Sequence, residues 1–513
     1  MATRLIPPAD GVIVRMYRIG HGDCFLIAFP GKVEDKPVYV LIDCGYKPGS
    51  PGFLKSTPKA IAASIREATD GHLDVVVITH EHQDHLNAFT ASNFSENDIT
   101  IGQAWFAWTE DPDDTLANKL RVIYKDQLLG LSEARNRLAA AGDIKSAEAI
   151  DEFLAFELGG EEEIQPALLG AAAKDPAKSQ NKQAMKLVKD RAKHVVYLRP
   201  HEKILTLPGN ENVRVFALGP PRDEDALSDL NPQGDEEFHL AAGLRSPANY
   251  FAAAARTKVS ETDLANRSPF SRRYALDLSS IYQDPEFGQF FTNNYGHSKV
   301  AANYPDTVDT STSDEVASNN AEWRRIDNDW LYSAEDLALA MNGDTNNASL
   351  VLAFELGKGG KVLLFAADAQ RGNWLSWGNE DFSDDGNAVS AKDLLGRTVL
   401  YKVGHHCSHN ATINGRPDDD FPNIGWMARG KFAQEFTAMI TAVPKWAQTQ
   451  KGWDHPRKEI KDALIKKASG RVLQTDTNLD DIERPPGVSA SEWDLFLRRT
   501  SGQDLFFDFT VMR

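Results

Sequence analysis

Between Thr79 and His85 the chain reads Thr-His-Glu-His-Gln-Asp-His, so His80, His82, Asp84 and His85 put four metal-type donors within six residues. Zinc and similar ions take deprotonated nitrogen and oxygen ligands at about 2.0 to 2.2 Å, and one short loop with this content is an efficient half-site. In extended backbone alternate side chains point the same way, so His80 and His82 can share one ion, while Asp84 and His85, past a turn, can reach a second. The competing reading is a polar surface loop. A chance match to all four identities is on the order of one in a thousand for a chain of this length. Two more donor groups close apolar runs: Asp368 follows Lys361 to Ala367, and His405 and His406 follow Val399 to Gly404. An aspartate after a strand is by itself usually a turn residue. Beside the cluster it becomes a carboxylate able to bridge two ions.

Positioning these groups requires a sheet whose strands end at one place. Gly11 to Tyr17, Cys24 to Phe29 and Val38 to Asp43 read as short strands split by Gly and Pro turns, followed by a helix over about Lys59 to Ala68. The buried-type strand Leu73 to Ile78 runs directly into the histidine loop. Residues 111 to 200, rich in Ala, Leu, Lys and Glu, read as a helical insertion, and strand character returns at Val213 to Leu218. From 222 to 345 the chain is polar and irregular, and Asn303 to Asn320 is the candidate mobile loop, a lid or a partner surface. Ala348 to Leu356, Lys361 to Ala367 and Thr398 to Val403 are β-rich, and Trp453 to Ala468 reads as a helix with Pro456 in its first turn. Strands, helices, strands, helices in one chain of 513 residues predict a single α/β sandwich with two insertions.

Leu41-Ile42-Asp43-Cys44-Gly45 and Thr79 to His85 resemble the first two motifs of the metallo-β-lactamase superfamily, and Asp368 and His405 fall where its later ligands should. Gly20-His21-Gly22-Asp23-Cys24, Asn346 to Leu352, Lys402 to Ser408, Asp454-His455-Pro456 and Leu473 to Asp476 are similar to the branch containing the nuclease-like domain of bacterial competence DNA-uptake channels. The resemblance covers most of residues 11 to 105, 211 to 221 and 345 to 480. It implies a four-layer αββα sandwich, the metallo-β-lactamase fold, and two divalent ions, Zn²⁺ or alternatively Mn²⁺. By it, His80 and His82 hold the first ion, Asp84, His85 and His405 hold the second, and Asp368 bridges them. Spacing alone does not separate His405 from His406. Asp43 would fix a histidine through its other ring nitrogen, unless it is only a capping or turn carboxylate.

The chain departs from the superfamily where a third histidine usually serves the first ion, because Phe216 to Pro221 contains none, so that site would be weak or completed by water. His194, His201 and His239 are poor substitutes by position. Cys407 stands where the competence-type branch carries glycine, either as a packed small residue or as a thiol near the metals.

A two-ion site suits hydrolysis, and phosphate esters gain most because their anionic oxygens also bind the ions. Asp84 or Asp368 would orient the attacking water, and His406 or His455 could protonate the leaving group; His455, before Pro456, alternatively caps a helix. Lys182, Lys186, Lys189 and Lys193 would form one stripe on a helix, either an ordinary solvated face or a phosphate track. The formal net charge of −18 argues against a surface that coats nucleic acid non-specifically. No apolar run approaches the roughly 18 residues needed to cross a bilayer, no secretory signal is evident, and three cysteines are too few for a disulfide framework. The expectation is a cytoplasmic phosphodiesterase or nuclease with a nucleotide or nucleic-acid substrate, no membrane association, and residues 222 to 345 as a possible protein-docking segment. An ester, lactone or lactam hydrolase and a regulatory subunit with a vestigial metal site are the alternatives.

Overall fold

The computed structural model describes residues 4–33, 35–53, 56–140, 142–159, 178–233, 236–237, 284–285, 287–295, 333–384, 387–450 and 453–513. An eight-stranded sheet takes the spatial order Thr500–Gly502, Phe506–Met512, Gly11–Tyr17, Cys24–Phe29, Val38–Cys44, His72–Ile78, Thr100–Ala107, Ala192–Leu198. A seven-stranded sheet runs Val472–Gln474, Thr437–Ile440, Thr398–Lys402, Val362–Phe365, Val351–Leu356, Asn210–Gly219, Leu205–Leu207. Both are mixed sheets, parallel at one side and antiparallel at the other.

Period-two alternation builds the layers. In Cys24–Phe29, Phe25, Ile27 and Phe29 enter a core shared with Phe354, Phe365 and Leu400 of the other sheet. Leu26 and Ala28 face the opposite way, onto Ile61 and Ile65 of helix Pro58–Thr69 and Met185 of helix Gln180–Arg191. The second sheet does the same, its outer residues Leu364, Tyr401 and Ala438 packing against Leu394, Leu395, Ile460 and Leu464. The result is an α/β sandwich, two sheets face to face with helices on the outer faces. Because the strands pair parallel near the site, the loops after Val38–Cys44, His72–Ile78, Val362–Phe365 and Thr398–Lys402 all leave from carboxyl ends.

Several boundaries differ from expectation. The stretch read as a helical insertion holds helices Thr115–Ala140, Ile144–Leu158 and Gln180–Arg191 but ends in Ala192–Leu198, an edge strand of the first sheet. The C-terminal strand Phe506–Met512 pairs along the whole of Gly11–Tyr17. The helix expected from Trp453 is Lys458–Lys467, so Pro456 precedes it, and its N-cap is Arg457 rather than His455. Asn303 to Asn320 lies outside the described residues, as does most of 222 to 345.

Chain contacts divide into two compact units, one of Met1–Val122, Ala155–Leu244 and Asn342–Arg513, the other of Ile123–Leu154 and Arg245–Met341. Within the second, Arg135 grips the buried Asp151 bidentately at 2.7 to 2.9 Å. All residues of the site described below belong to the first unit. Among the described residues no helix is long and apolar enough to cross a membrane.

Candidate metal centre

The histidine loop is held by backbone approaches that only small residues permit. A Cβ on Gly45 would lie 2.5 Å from the backbone of Asp84, His85 and Leu86, so the turn after Val38–Cys44 packs directly on the loop. Non-glycine residues in left-handed backbone gather around it: Asp43, Ala367, His405, His406 and Cys407 have φ between 41° and 66°. Each such residue costs about 1 to 3 kcal/mol, and a group of them at strand ends marks a site whose geometry the fold enforces.

Asp84, His85, Asp368 and His406 form a buried group in which one donor atom from each lies within 4.8 Å of the others. His85 Nε2 is 3.2 Å from Asp368 Oδ2, and His406 Nε2 is 3.2 Å from Asp84 Oδ2 and 3.4 Å from Asp368 Oδ2. The opposite ring nitrogens fix the tautomers. His85 Nδ1 lies 2.8 Å from Asp43 Oδ2, and His406 Nδ1 lies 3.0 Å from the Thr441 carbonyl; both partners can only accept, so both Nδ1 atoms carry protons. Each neutral ring therefore turns an Nε2 lone pair toward the carboxylates. Asp84 Oδ1, His85 Nε2 and His406 Nε2 are also buried without a hydrogen-bond partner among the described residues. Orphaned acceptors that converge are what a divalent cation satisfies, and the donor set of two imidazoles and two carboxylates fits one.

Charge points the same way. Asp23, Asp43, Asp84 and Asp368 are buried beside the buried ammonium of Lys402, which pairs with Asp23 and lies 3.4 Å from Asp368 Oδ1. In the absence of a cation, protons must carry the balance. Burial disfavours charge on both rings, yet the Asp368 carboxylate lifts His406 to about 9 and His85 well above the usual imidazole range.

Not every expected site residue is where the sequence reading put it. His406, not His405, stands in the ligand group. The left-handed turn at Gly404–Cys407 swings His405 outward, where its Nδ1 meets Ser408 Oγ at 2.7 Å and its Nε2 faces Asn346 Nδ2 at 3.2 Å. His80 and His82 lie together, His80 Nε2 3.0 Å from His82 Nδ1, outside the four-residue group. Asp43 accepts from Thr79 N–H and Thr79 Oγ1 as well as from His85. His455 is half-buried, its ring 5.5 Å from that of His405, with Nδ1 3.2 Å from His21 Nε2. Cys407 is a core residue whose thiol burial pushes far up, which makes it inert.

The lysine stripe is not a free track. Lys182 pairs with Glu81 and Glu110, Lys189 with Glu110 at 3.5 Å and Lys186 with Asp190, and Lys193 lies on the strand beyond the helix. Sequence reasoning missed four residues that shape the site: Asp23, Lys402, Glu157 and Asn346. Asp23, Lys402 and Asn346 lie inside motifs already singled out, whereas Glu157, whose Oε1 is 2.9 Å from His82 Nε2, sits in a helix with no local signal. The chain matches no family model and no curated protein.

Proposed function

We propose that the chain is a metal-dependent hydrolase of the metallo-β-lactamase superfamily, acting on phosphate esters. The observation that carries this reading is the tautomer-fixed pair of Nε2 lone pairs on His85 and His406, aimed with Asp84 and Asp368 at one buried point. His85, His406, Asp84 and Asp368 would hold one divalent ion there, and zinc suits their mixed nitrogen and oxygen donors; His80 and His82 would hold a second. Such ions supply Lewis-acid activation of water and of an ester's oxygens.

The protein's own contribution is orientation and proton placement. Asp43 and the Thr441 carbonyl keep the Nδ1 protons of His85 and His406 in place, so both rings present lone pairs without reorganisation. A ligand position removes His406 as a proton donor and leaves His455 as a hydrogen-bond donor. The Val443 N–H donates to His21 Nδ1 at 3.3 Å, so His21 carries its proton on Nε2 and donates to His455 Nδ1. The neutral His455 ring then carries its single N–H on Nε2, which can hydrogen-bond to a leaving-group oxygen and stabilise its charge. Stacking on Trp453, with ring centroids 4.9 Å apart, holds the ring in place. Lys47, its ammonium 2.8 Å from the Phe156 ring centroid, acts on the charge of Asp84 and supports an anionic substrate. With Lys182, Lys186 and Lys189 each paired to a carboxylate, a small phosphodiester is a better fit than a long polyanion.

The test is metal analysis of purified wild-type and Asp84→Ala protein, with hydrolysis of a chromogenic phosphodiester, plasmid, RNA, a carboxylic ester and a chromogenic lactam. The expected result is bound metal in the wild type, phosphodiester cleavage, and loss of both in the variant. Wild-type protein that holds no metal and stays inert with added Zn²⁺ or Mn²⁺ overturns the hydrolase reading. Cleavage of the ester or lactam alone overturns the substrate class.

A further inference from the structure

The environment of His80 and His82 defines a separate acceptor cluster. Glu157 Oε1 lies 2.9 Å from His82 Nε2 and only accepts, so Nε2 carries the proton and Nδ1 presents a lone pair. Thr79 Oγ1 donates to Asp43 Oδ2 at 2.6 Å and is therefore an acceptor for the His80 Nδ1 proton at 3.1 Å, which leaves a lone pair on His80 Nε2. Asn346 is oriented through its amide nitrogen, which donates to Asn342 Oδ1 at 2.8 Å and faces His405 Nε2 at 3.2 Å. His405 accepts there because Ser408 Oγ, which donates onward to Asn410 Oδ1, takes the proton of its Nδ1. The amide oxygen of Asn346 is thereby turned to within 2.8 Å of His82 Nδ1, itself 3.0 Å from His80 Nε2. Three lone pairs face one another inside the protein, since Asn346 and His82 are buried and His80 is only 5% exposed. Acceptors at such distances need a positive centre between them. A divalent ion is such a centre.

We propose that Asn346 Oδ1 completes, with His80 Nε2 and His82 Nδ1, a second divalent-cation position, in place of the third histidine that Phe216 to Pro221 lacks. Glu157 and His405 are its positioning residues, one fixing the ring of His82 and the other the amide of Asn346. This inference rests on the hydrolase reading above. A neutral carbonyl-type oxygen is a harder donor than imidazole, so this position discriminates less strongly for zinc over manganese than a three-histidine site would.

The test is equilibrium dialysis of the full chain, stripped of metal and then exposed to Zn²⁺ or Mn²⁺, with bound ions counted by mass spectrometry and Co²⁺ absorption recorded in parallel. The wild type is expected to bind two ions. Asn346→Ala keeps one and loses the other's affinity by more than about 100-fold, Asn346→Asp keeps both and binds the second more tightly, and Glu157→Gln weakens the second by about 10- to 100-fold. Should Asn346→Ala not fold, the aspartate and glutamine variants decide: second-ion affinity unchanged in both overturns the proposal. Two ions bound by Asn346→Ala with wild-type affinity overturn the role of Asn346 and leave the hydrolase reading intact. A wild type that binds one ion, lost in Asp84→Ala and kept in His80→Ala, has the same consequence. A wild type that binds no ion overturns both.

Discussion

Replacing Lys402 with methionine tests the electrostatics of the centre, because methionine nearly keeps the length of the side chain and removes the ammonium with its charge and its hydrogen bonds. Lys402 is buried, pairs with Asp23, lies 3.4 Å from Asp368 Oδ1 and donates to the Ala367 carbonyl at 2.8 Å. With an effective dielectric of about 20, a pair at the Asp368 distance is worth about 5 kcal/mol, and removing one partner of a buried pair typically costs about 3 to 5 kcal/mol. Burial alone would lower the affinity of this ammonium for its proton, but Asp23 and then Asp368 raise it above its ordinary value. The contribution is therefore constant through neutral pH and is lost only as pH rises past about 10.5 and through the folded-state value. Urea unfolding at pH 7.5 in a chelator should show Lys402→Met destabilised by about 3 to 5 kcal/mol. Zinc should recover more stability in the variant than in the wild type, since the ion neutralises the stranded Asp368. A loss below about 1 kcal/mol in chelator, or equal recovery by zinc in both proteins, would refute the charge balance argued for the site.

Asp43→Asn keeps the shape of the group that fixes His85 but not its two-sided acceptor, so zinc affinity should fall about 10- to 100-fold in a competition titration; unchanged affinity would show that the His85 tautomer is set elsewhere. Asp344 is pushed up to about 7 by burial and then by Glu157, so the folded state keeps a proton that the unfolded state releases. The stability that Asp344 contributes should accordingly be lost as pH rises from about 4 to 7, so the urea midpoint of Asp344→Asn relative to wild type should rise across that range; a constant difference between the two would contradict it. Lys182→Glu should lower the melting temperature, by placing a third carboxylate beside Glu81 and Glu110, and leave the KM for a chromogenic phosphodiester unchanged. A raised KM at wild-type stability would restore the phosphate-track reading.

The parts of the site carried by contiguous sequence were legible. His80 to His85 declare themselves by spacing, and Asp368 by closing a buried run, because a strand end is where backbone stops dictating side-chain direction. The choice between His405 and His406 was not legible, since three consecutive left-handed residues set it and none of them is glycine. Glu157 reaches His82 across 75 positions, and no local periodicity marks a helix residue that faces a site. Asn346 stood within a recognised motif, but an amide carries no metal-ligand signal until its neighbours fix which end points inward. The same holds for the fold: Cys24–Phe29 is an unbroken apolar run between turn residues, whereas Ala192–Leu198 follows a helix without a break and becomes a strand only by pairing with Thr100–Ala107. Phe506–Met512 has the alternation of a strand, and its value lies in a partner almost 500 positions away.

Asp84, His85, Asp368 and His406 are proposed to hold a divalent ion. Crystals grown with zinc and measured at its absorption edge would test it most directly. An anomalous peak is expected about 2.0 to 2.2 Å from His85 Nε2, His406 Nε2 and oxygens of Asp84 and Asp368. A zinc-loaded crystal with no peak there, or with zinc held by His405 instead of His406, would contradict it.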